Sequence, residues 1–157
     1  MTAPRALIVR AAGINCEQET KFACERVGFT AQVLHVNRLV ERPALLHDHQ
    51  LLVIPGGFSY GDDLGAGKVL GNELRMKLID DLRKFVRDGK LVLGICNGFQ
   101  ILVRAGLLPD PMSHDTAPLT VTHNDSGRFE DRWVYLKISS QKSEFMKREE
   151  VIQLPVA

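Results

Sequence analysis

Leu91-Val92-Leu93-Gly94-Ile95-Cys96-Asn97-Gly98-Phe99-Gln100 is an apolar run that ends in a Gly-x-Cys-x-Gly turn and passes directly into a helical pattern. A strand that turns sharply into a helix pushes one side chain out at the sheet edge, with the helix N-terminus aimed at it. Gly94 and Gly98 flank Cys96, and without β-carbons they let the two backbones approach across the corner. The helix N-terminus favours an anion at that point, and the thiolate is the reactive form of cysteine. Most free cysteines are simply small buried hydrophobes. The elbow context, rather than the lone residue, makes Cys96 the candidate nucleophile.

The pattern around this elbow is strand–helix alternation. Ala6–Val9, Ala31–Val36, Leu51–Ile54 and Leu91–Ile95 read as buried strands. Asn15 is placed to cap a helix with Gln18 as its reciprocal partner. Phe22, Ala23 and Val27 share one face of that helix, and Gly28 closes it. Arg38–Asp48 is a connection with partial helical character, broken by Pro43. Leu74, Leu78, Leu82, Phe85 and Val86 recur at helical spacing, which predicts one amphipathic helix over Glu73–Arg87, ended by Asp88-Gly89. Phe99–Ala105 continues as the helix after the elbow. Such alternation implies a parallel sheet with helices on both faces. Ligands bind such sheets beyond the carboxyl ends of the strands. The loop at Pro55-Gly56-Gly57 and Cys96 both follow strand ends, so the two are expected to meet.

After Pro109 the character changes. Leu107–Pro118 carries three prolines and reads as loop, Leu119–Thr122 as a candidate strand, and Asn124-Asp125-Ser126-Gly127 as a turn. Trp133–Ile138 alternates as a half-buried strand does, and Val151–Leu154 is a short last strand. No repeat, low-complexity segment or linker interrupts the chain, so residues 1–157 are expected to form a single domain.

Bulk composition narrows the function. The chain has 157 residues, 45% of them hydrophobic, and a net charge of +1 from 20 basic and 19 acidic residues. That is enough chain for a real core and shows no electrostatic footprint for nucleic acid. No apolar run approaches the roughly 20 residues of a membrane span, and no signal-peptide pattern opens the chain, so a cytoplasmic protein is expected. Cys16, Cys24 and Cys96 are odd in number and lack Cys-x-x-Cys spacing, which suggests neither a disulfide framework nor a metal site.

Two glycines in a row at Gly56-Gly57 let backbone approach a ligand and offer N–H groups to an oxyanion. Gly61-Asp62-Asp63-Leu64-Gly65-Ala66-Gly67-Lys68 superficially suggests a phosphate loop. It lacks the glycine required at position 62 and the Ser or Thr after Lys68. It reads as a loop beside the active site. A thiol nucleophile ordinarily works with a base, yet none of His35, His47, His49, His114 and His123 stands in a convincing strand-end context.

Four segments in order resemble the glutamine amidotransferase subunit of phosphoribosylformylglycinamidine synthase, a class I, triad-type amidotransferase. They are Gly13-Ile14-Asn15-Cys16-Glu17, Pro55-Gly56-Gly57-Phe58-Ser59-Tyr60-Gly61-Asp62, Gly94-Ile95-Cys96-Asn97-Gly98-Phe99-Gln100 and Asn124-Asp125-Ser126-Gly127-Arg128-Phe129-Glu130. Other class I amidotransferases usually differ at the positions of Asn97 and Phe99. The resemblance implies a flavodoxin-like α/β fold. It implies that Cys96 attacks the side-chain amide of glutamine to give a glutamyl thioester and ammonia. The N–H groups of Gly57 and Asn97 would form the oxyanion hole, and Gly56, Phe58 and Gln100 would bind substrate. Ammonia would pass to a separate synthetase subunit, and the resemblance leaves open a small third subunit. That synthetase would use ATP and Mg to convert formylglycinamide ribonucleotide to the amidine in purine biosynthesis, so no cofactor is expected in this chain. The family continues past a Leu-Pro-Val-Ala-like segment to His-Gly-Glu-Gly and then a His-x-Glu pair, so the chain is expected to lack the triad His and Glu. The alternatives are a cysteine hydrolase of related fold and a non-catalytic, regulatory pseudo-amidotransferase.

Overall fold

The computed structural model describes residues 2–113, 119–139 and 144–157. They form two compact units, Met1–Val121 and Thr122–Ala157. In the first, β1 (Arg5–Arg10), α1 (Glu17–Arg26), β2 (Thr30–His35), α2 (Val36–Glu41), α3 (Ala44–His47) and β3 (Leu51–Ile54) are followed by a 3-10 stretch at Ser59–Asp62. Then come α4 (Lys68–Lys77), α5 (Ile79–Arg87), β4 (Leu91–Gly94) and α6 (Asn97–Ala105). The strands form one parallel sheet in the order β2-β1-β3-β4. The α/β fold expected from strand–helix alternation is present, and each of these four strands lies within a residue or two of where the alternation places it.

The pleat sorts the strand residues into two cores, because alternate side chains face opposite ways. Leu7, Val9, Leu52 and Ile54 face α2 to α6, packing on Leu39, Leu74, Leu82, Phe85 and Ile101. Ala6, Ile8, Leu51 and Val53 face the other way, toward Cys24 of α1. Among the described residues, helices therefore cover both faces, five on one and a single helix on the other.

Several local expectations change. Asn15 does not cap α1: Cys16 is the cap residue without a side-chain cap bond, and the Asn15 Oδ1 instead accepts from the Cys16 thiol at 3.3 Å. Gly28 does follow the cap, at φ +96°. The Phe22–Val27 face points outward, with Phe22 and Val27 exposed, and Cys24 supplies the buried contact. The long helix over Glu73–Arg87 is two helices that share Leu78, whose φ of −132° breaks the rod. Leu74, Leu78 and Leu82 are nevertheless all buried. The apolar spacing reports the core face and is blind to the kink. Pro43 separates α2 from α3, as a residue without an N–H does.

The second unit is built on an antiparallel pair, β5 (Arg132–Lys137) with β6 (Val151–Val156), in which Trp133 faces Pro155 and Tyr135 faces Gln153. The Asn124–Gly127 turn is present, closed by the Gly127 N–H on the Asn124 carbonyl at 2.9 Å. Leu119–Thr122 is irregular rather than a strand. Of the proline-rich stretch Leu107–Pro118, residues 114–118, including His114, lie outside the described residues.

Candidate active site

Cys96 caps the N-terminus of α6 with φ 53° and ψ −111°, and it is exposed. A non-glycine residue in this region is strained by about 1–3 kcal/mol and persists only where its surroundings hold it. Its surroundings do so through the flanking glycines. A Cβ on Gly98 would stand 1.9 Å from the Ile54 carbonyl oxygen, and one on Gly94 would stand 2.7 Å from the Gly98 oxygen. The first turn of α6 therefore lies flat on the ends of β3 and β4, and the thiol is left on the rim.

The glycine loop meets this corner, as its position after β3 predicts. A Cβ on Gly56 would lie 3.5 Å from the Cys96 Cβ and 4.0 Å from the Cys16 Sγ. Gly57, at φ +144°, backs onto Gly13 and Asn15, and the Phe58 N–H donates to the Gly13 carbonyl at 2.8 Å. Any side chain at Gly57 would collide with that strap, with Gly13 O only 2.6 Å from a Cβ. The Phe58 ring is exposed. Among the described residues, the N–H groups of Gly57 and Asn97 donate to no protein acceptor. One is freed by the shape of the glycine loop and the other by its place in the first helical turn.

A side-chain network not anticipated from the sequence holds the loop to α6. Asn97 is buried. Its Oδ1 accepts from the Ser59 N–H at 3.1 Å, and its Nδ2 donates to both Asp62 carboxylate oxygens, at 3.1 and 3.3 Å, and to Gln100 Oε1 at 3.0 Å. Asp62 Oδ1 also accepts from the Gly67 N–H at 3.0 Å. Tyr60 and Asp62 both carry positive φ, 52° and 54°. The Tyr60 hydroxyl donates to Glu73 on α4 at 3.2 Å; burial, then the neighbouring Glu73 charge, push this phenol up, which keeps it a donor. The only sequence hint was the i, i+3 spacing of Asn97 and Gln100 on a helix; the partner Asp62 is 35 residues away.

The described histidines stand away from this corner. His47 and His49 precede β3, at the amino-terminal ends of the strands, opposite the ends that carry Cys96. His35 ends β2, with β1 and β3 between it and β4, roughly 14 Å at ordinary strand spacing. Its Nδ1 accepts from the Asn37 N–H at 3.2 Å and caps α2. His123 belongs to the second unit. Among the described residues, no group of three or more His, Cys, Asp or Glu is placed to hold a metal ion. No helix among them is long and apolar enough to cross a membrane.

A family model described as a CobB/CobQ-like glutamine amidotransferase domain matches residues 3–157. The chain belongs to this glutamine amidotransferase family. Among curated proteins, the amidotransferase chain is 48% identical over 139 residues to the phosphoribosylformylglycinamidine synthase subunit PurQ of Dehalococcoides mccartyi, covering 88% of this chain and 54% of that one. It is 37% identical over 155 residues to the protein of the same name from Methanococcus maripaludis, covering 98% and 57%. Among solved structures, it matches a chain in the structure of PurLQS from Thermotoga maritima with TM-score 0.76 and 33% identity, covering 98% of this chain and 66% of that one. The amidotransferase chain thus spans a little over half the length of these curated relatives. The flavodoxin-like, class I amidotransferase architecture is the one found.

Proposed function

We propose that these residues are the nucleophile-bearing part of a glutaminase subunit of phosphoribosylformylglycinamidine synthase. The carrying observation is the exposed Cys96 held at φ 53° against Gly56, with two unengaged backbone N–H groups on the loops that meet there. The Cys96 sulfur attacks the carboxamide carbon of glutamine. The oxygen that becomes negative is received by the N–H groups of Gly57 and Asn97; one such donor is worth about 10²–10³ in rate. Collapse of that adduct expels ammonia and leaves a glutamyl thioester, which water hydrolyses to glutamate. Gly56 and Phe58 line the glutamine site, and Gln100, one turn into α6, contacts the substrate. The base in this reading is the histidine of the His-x-Glu pair that the family resemblance implies.

Ammonia then goes to a synthetase subunit, with a small third subunit in the assembly. ATP and Mg act on the synthetase, which converts formylglycinamide ribonucleotide to formylglycinamidine ribonucleotide in purine biosynthesis. This chain itself uses no cofactor, and the assembly works in the cytoplasm. The PurQ names of the relatives and the PurLQS neighbour support this reading. The test is to incubate the full-length protein, with its synthetase, with 6-diazo-5-oxo-norleucine and map adducts by mass spectrometry. One adduct per chain on Cys96, prevented by excess glutamine, is expected. Labelling that ignores glutamine or falls on another residue would overturn the proposal.

A further inference from the structure

We infer that the Asn97 side chain and Asp62 are positioning residues that fix which end of the Gln100 carboxamide faces the substrate. The inference rests on the glutaminase reading and adds to it, since that reading uses only the backbone N–H of Asn97.

The hydrogen-bond network leaves one self-consistent arrangement. The Ser59 N–H can only donate, so the Asn97 atom 3.1 Å away is its oxygen. The other end of Asn97 is then the NH₂, and it meets the Asp62 carboxylate, which accepts. One Nδ2 hydrogen is shared between the two Asp62 oxygens, and the second goes to Gln100 at 3.0 Å. That forces Gln100 to turn its Oε1 inward, because the flipped amide would set two NH₂ groups face to face. The Gln100 Nε2 is left as the free end, a pair of N–H donors on a half-buried side chain one turn from the nucleophile. A site so arranged selects a ligand with an acceptor oxygen, a carbonyl or carboxylate, at that place. Asp62 is the anchor: it is held by the Gly67 N–H and sits at a φ of 54° that an unconstrained aspartate would leave. Without its acceptor oxygens, nothing fixes the Asn97 NH₂, and Gln100 can rotate.

The readout is a ratio of two rates on the full-length protein with its synthetase. Iodoacetamide reports the reactivity of Cys96 alone, followed by mass spectrometry of its peptide. The diazo-oxo-norleucine rate adds recognition of a glutamine-shaped ligand. For Asp62→Ala we expect the analogue rate to fall at least tenfold while the iodoacetamide rate stays within about twofold, with glutamine KM raised more than kcat is lowered. Asp62→Asn, which keeps an acceptor oxygen for Asn97, should recover most of the loss. Equal losses in both rates mean a merely structural role and overturn the inference, as does an unchanged analogue rate. A wild-type protein that never takes the analogue on Cys96 sinks the glutaminase reading instead, so the two failures are separate.

Discussion

Gly98 lies so close to Ile54 that a Cβ on it would sit 1.9 Å from the Ile54 carbonyl oxygen and 2.7 Å from its carbon. This contact sets the height of α6 above the sheet and hence the angle at which Cys96 leaves the corner.

Gly98→Ala follows directly. In an open helix, alanine is more favourable than glycine by about 1 kcal/mol. Here the added methyl meets backbone, which cannot swing away as a flexible side chain does. Overpacking of this kind costs typically about 1–3 kcal/mol, so the sign reverses. The variant should be destabilised in denaturant melts, and its Cys96 should lose labelling by the glutamine analogue. Gly89→Ala is the contrast: nothing lies within 4 Å of its Cβ, and only its φ of +76° is disfavoured. That variant should lose only the left-handed backbone penalty, about 1–2 kcal/mol, and keep its labelling. A Gly98→Ala protein as stable as wild type would show that the corner is loose.

Cys96→Gly should separate stability from chemistry. Cys96 holds φ 53° and ψ −111°, a conformation that strains a side chain by about 1–3 kcal/mol and strains glycine hardly at all. Glycine returns roughly 0.5–1 kcal/mol of this through the greater freedom of the unfolded chain. The variant should therefore be more stable than Cys96→Ala, by about 1 kcal/mol, while both lose covalent capture of the analogue. Comparison with Cys96→Ala isolates the dihedral, since both lack sulfur. Equal midpoints for the two variants would mean the elbow carries no strain.

The elbow was legible because its signal is local. An apolar strand, two glycines four residues apart and a helical pattern occupy ten consecutive residues. The four strands were legible for the same reason, each being a short continuous apolar run. Elements decided by distant partners were not. The Asn15 side chain bonds the Cys16 thiol, on a strap that pairs with Gly57. No local rule gives that pairing. Leu78 breaks a helix without glycine or proline nearby, while the apolar spacing runs on through it. The Asn97–Asp62 contact joins the first turn of α6 to the 3-10 stretch after β3, which only the parallel sheet brings together. In the sequence Asp62 is only part of a loop beside the site, and nothing local names its partner.

The three cysteines should differ in reactivity in an order set by burial. Cys24 packs in the core on the α1 face of the sheet; burial, and then the neighbouring Glu25 charge, push its thiol up. Cys16 is half-buried with its thiol on Asn15, and Cys96 is exposed. Since the thiolate is the reacting form, limiting iodoacetamide should modify Cys96 first and Cys24 last, with Cys24 slower by about tenfold or more. Peptide mapping over a time course reads the order. Early modification of Cys24 would mean that α1 opens from the sheet under native conditions.

His49 should make stability fall in mild acid. The residue is buried, its Nδ1–H donates to the Leu45 carbonyl at 2.9 Å, and its Nε2 has no protein partner among the described residues. Burial is the main reason its affinity for a proton is lowered from the ordinary 6.5, aided by Arg5 and Lys90 and opposed by the Leu45 bond and Asp48. The folded chain thus holds this imidazole neutral where the unfolded chain has begun to protonate it. Stability from this group is complete above about 6.5 and declines as pH drops below that value, by up to about 1.4 kcal/mol per pH unit, until the folded-state group also takes up its proton. His49→Leu removes the titration; it forfeits the Leu45 bond, about 1 kcal/mol, and suits the apolar surroundings. Urea midpoints of wild type and variant should therefore differ in slope between pH 6.5 and 5, with the variant gaining on the wild type as pH falls. Parallel midpoints through that range would mean that His49 protonates in the folded chain as readily as in the unfolded one.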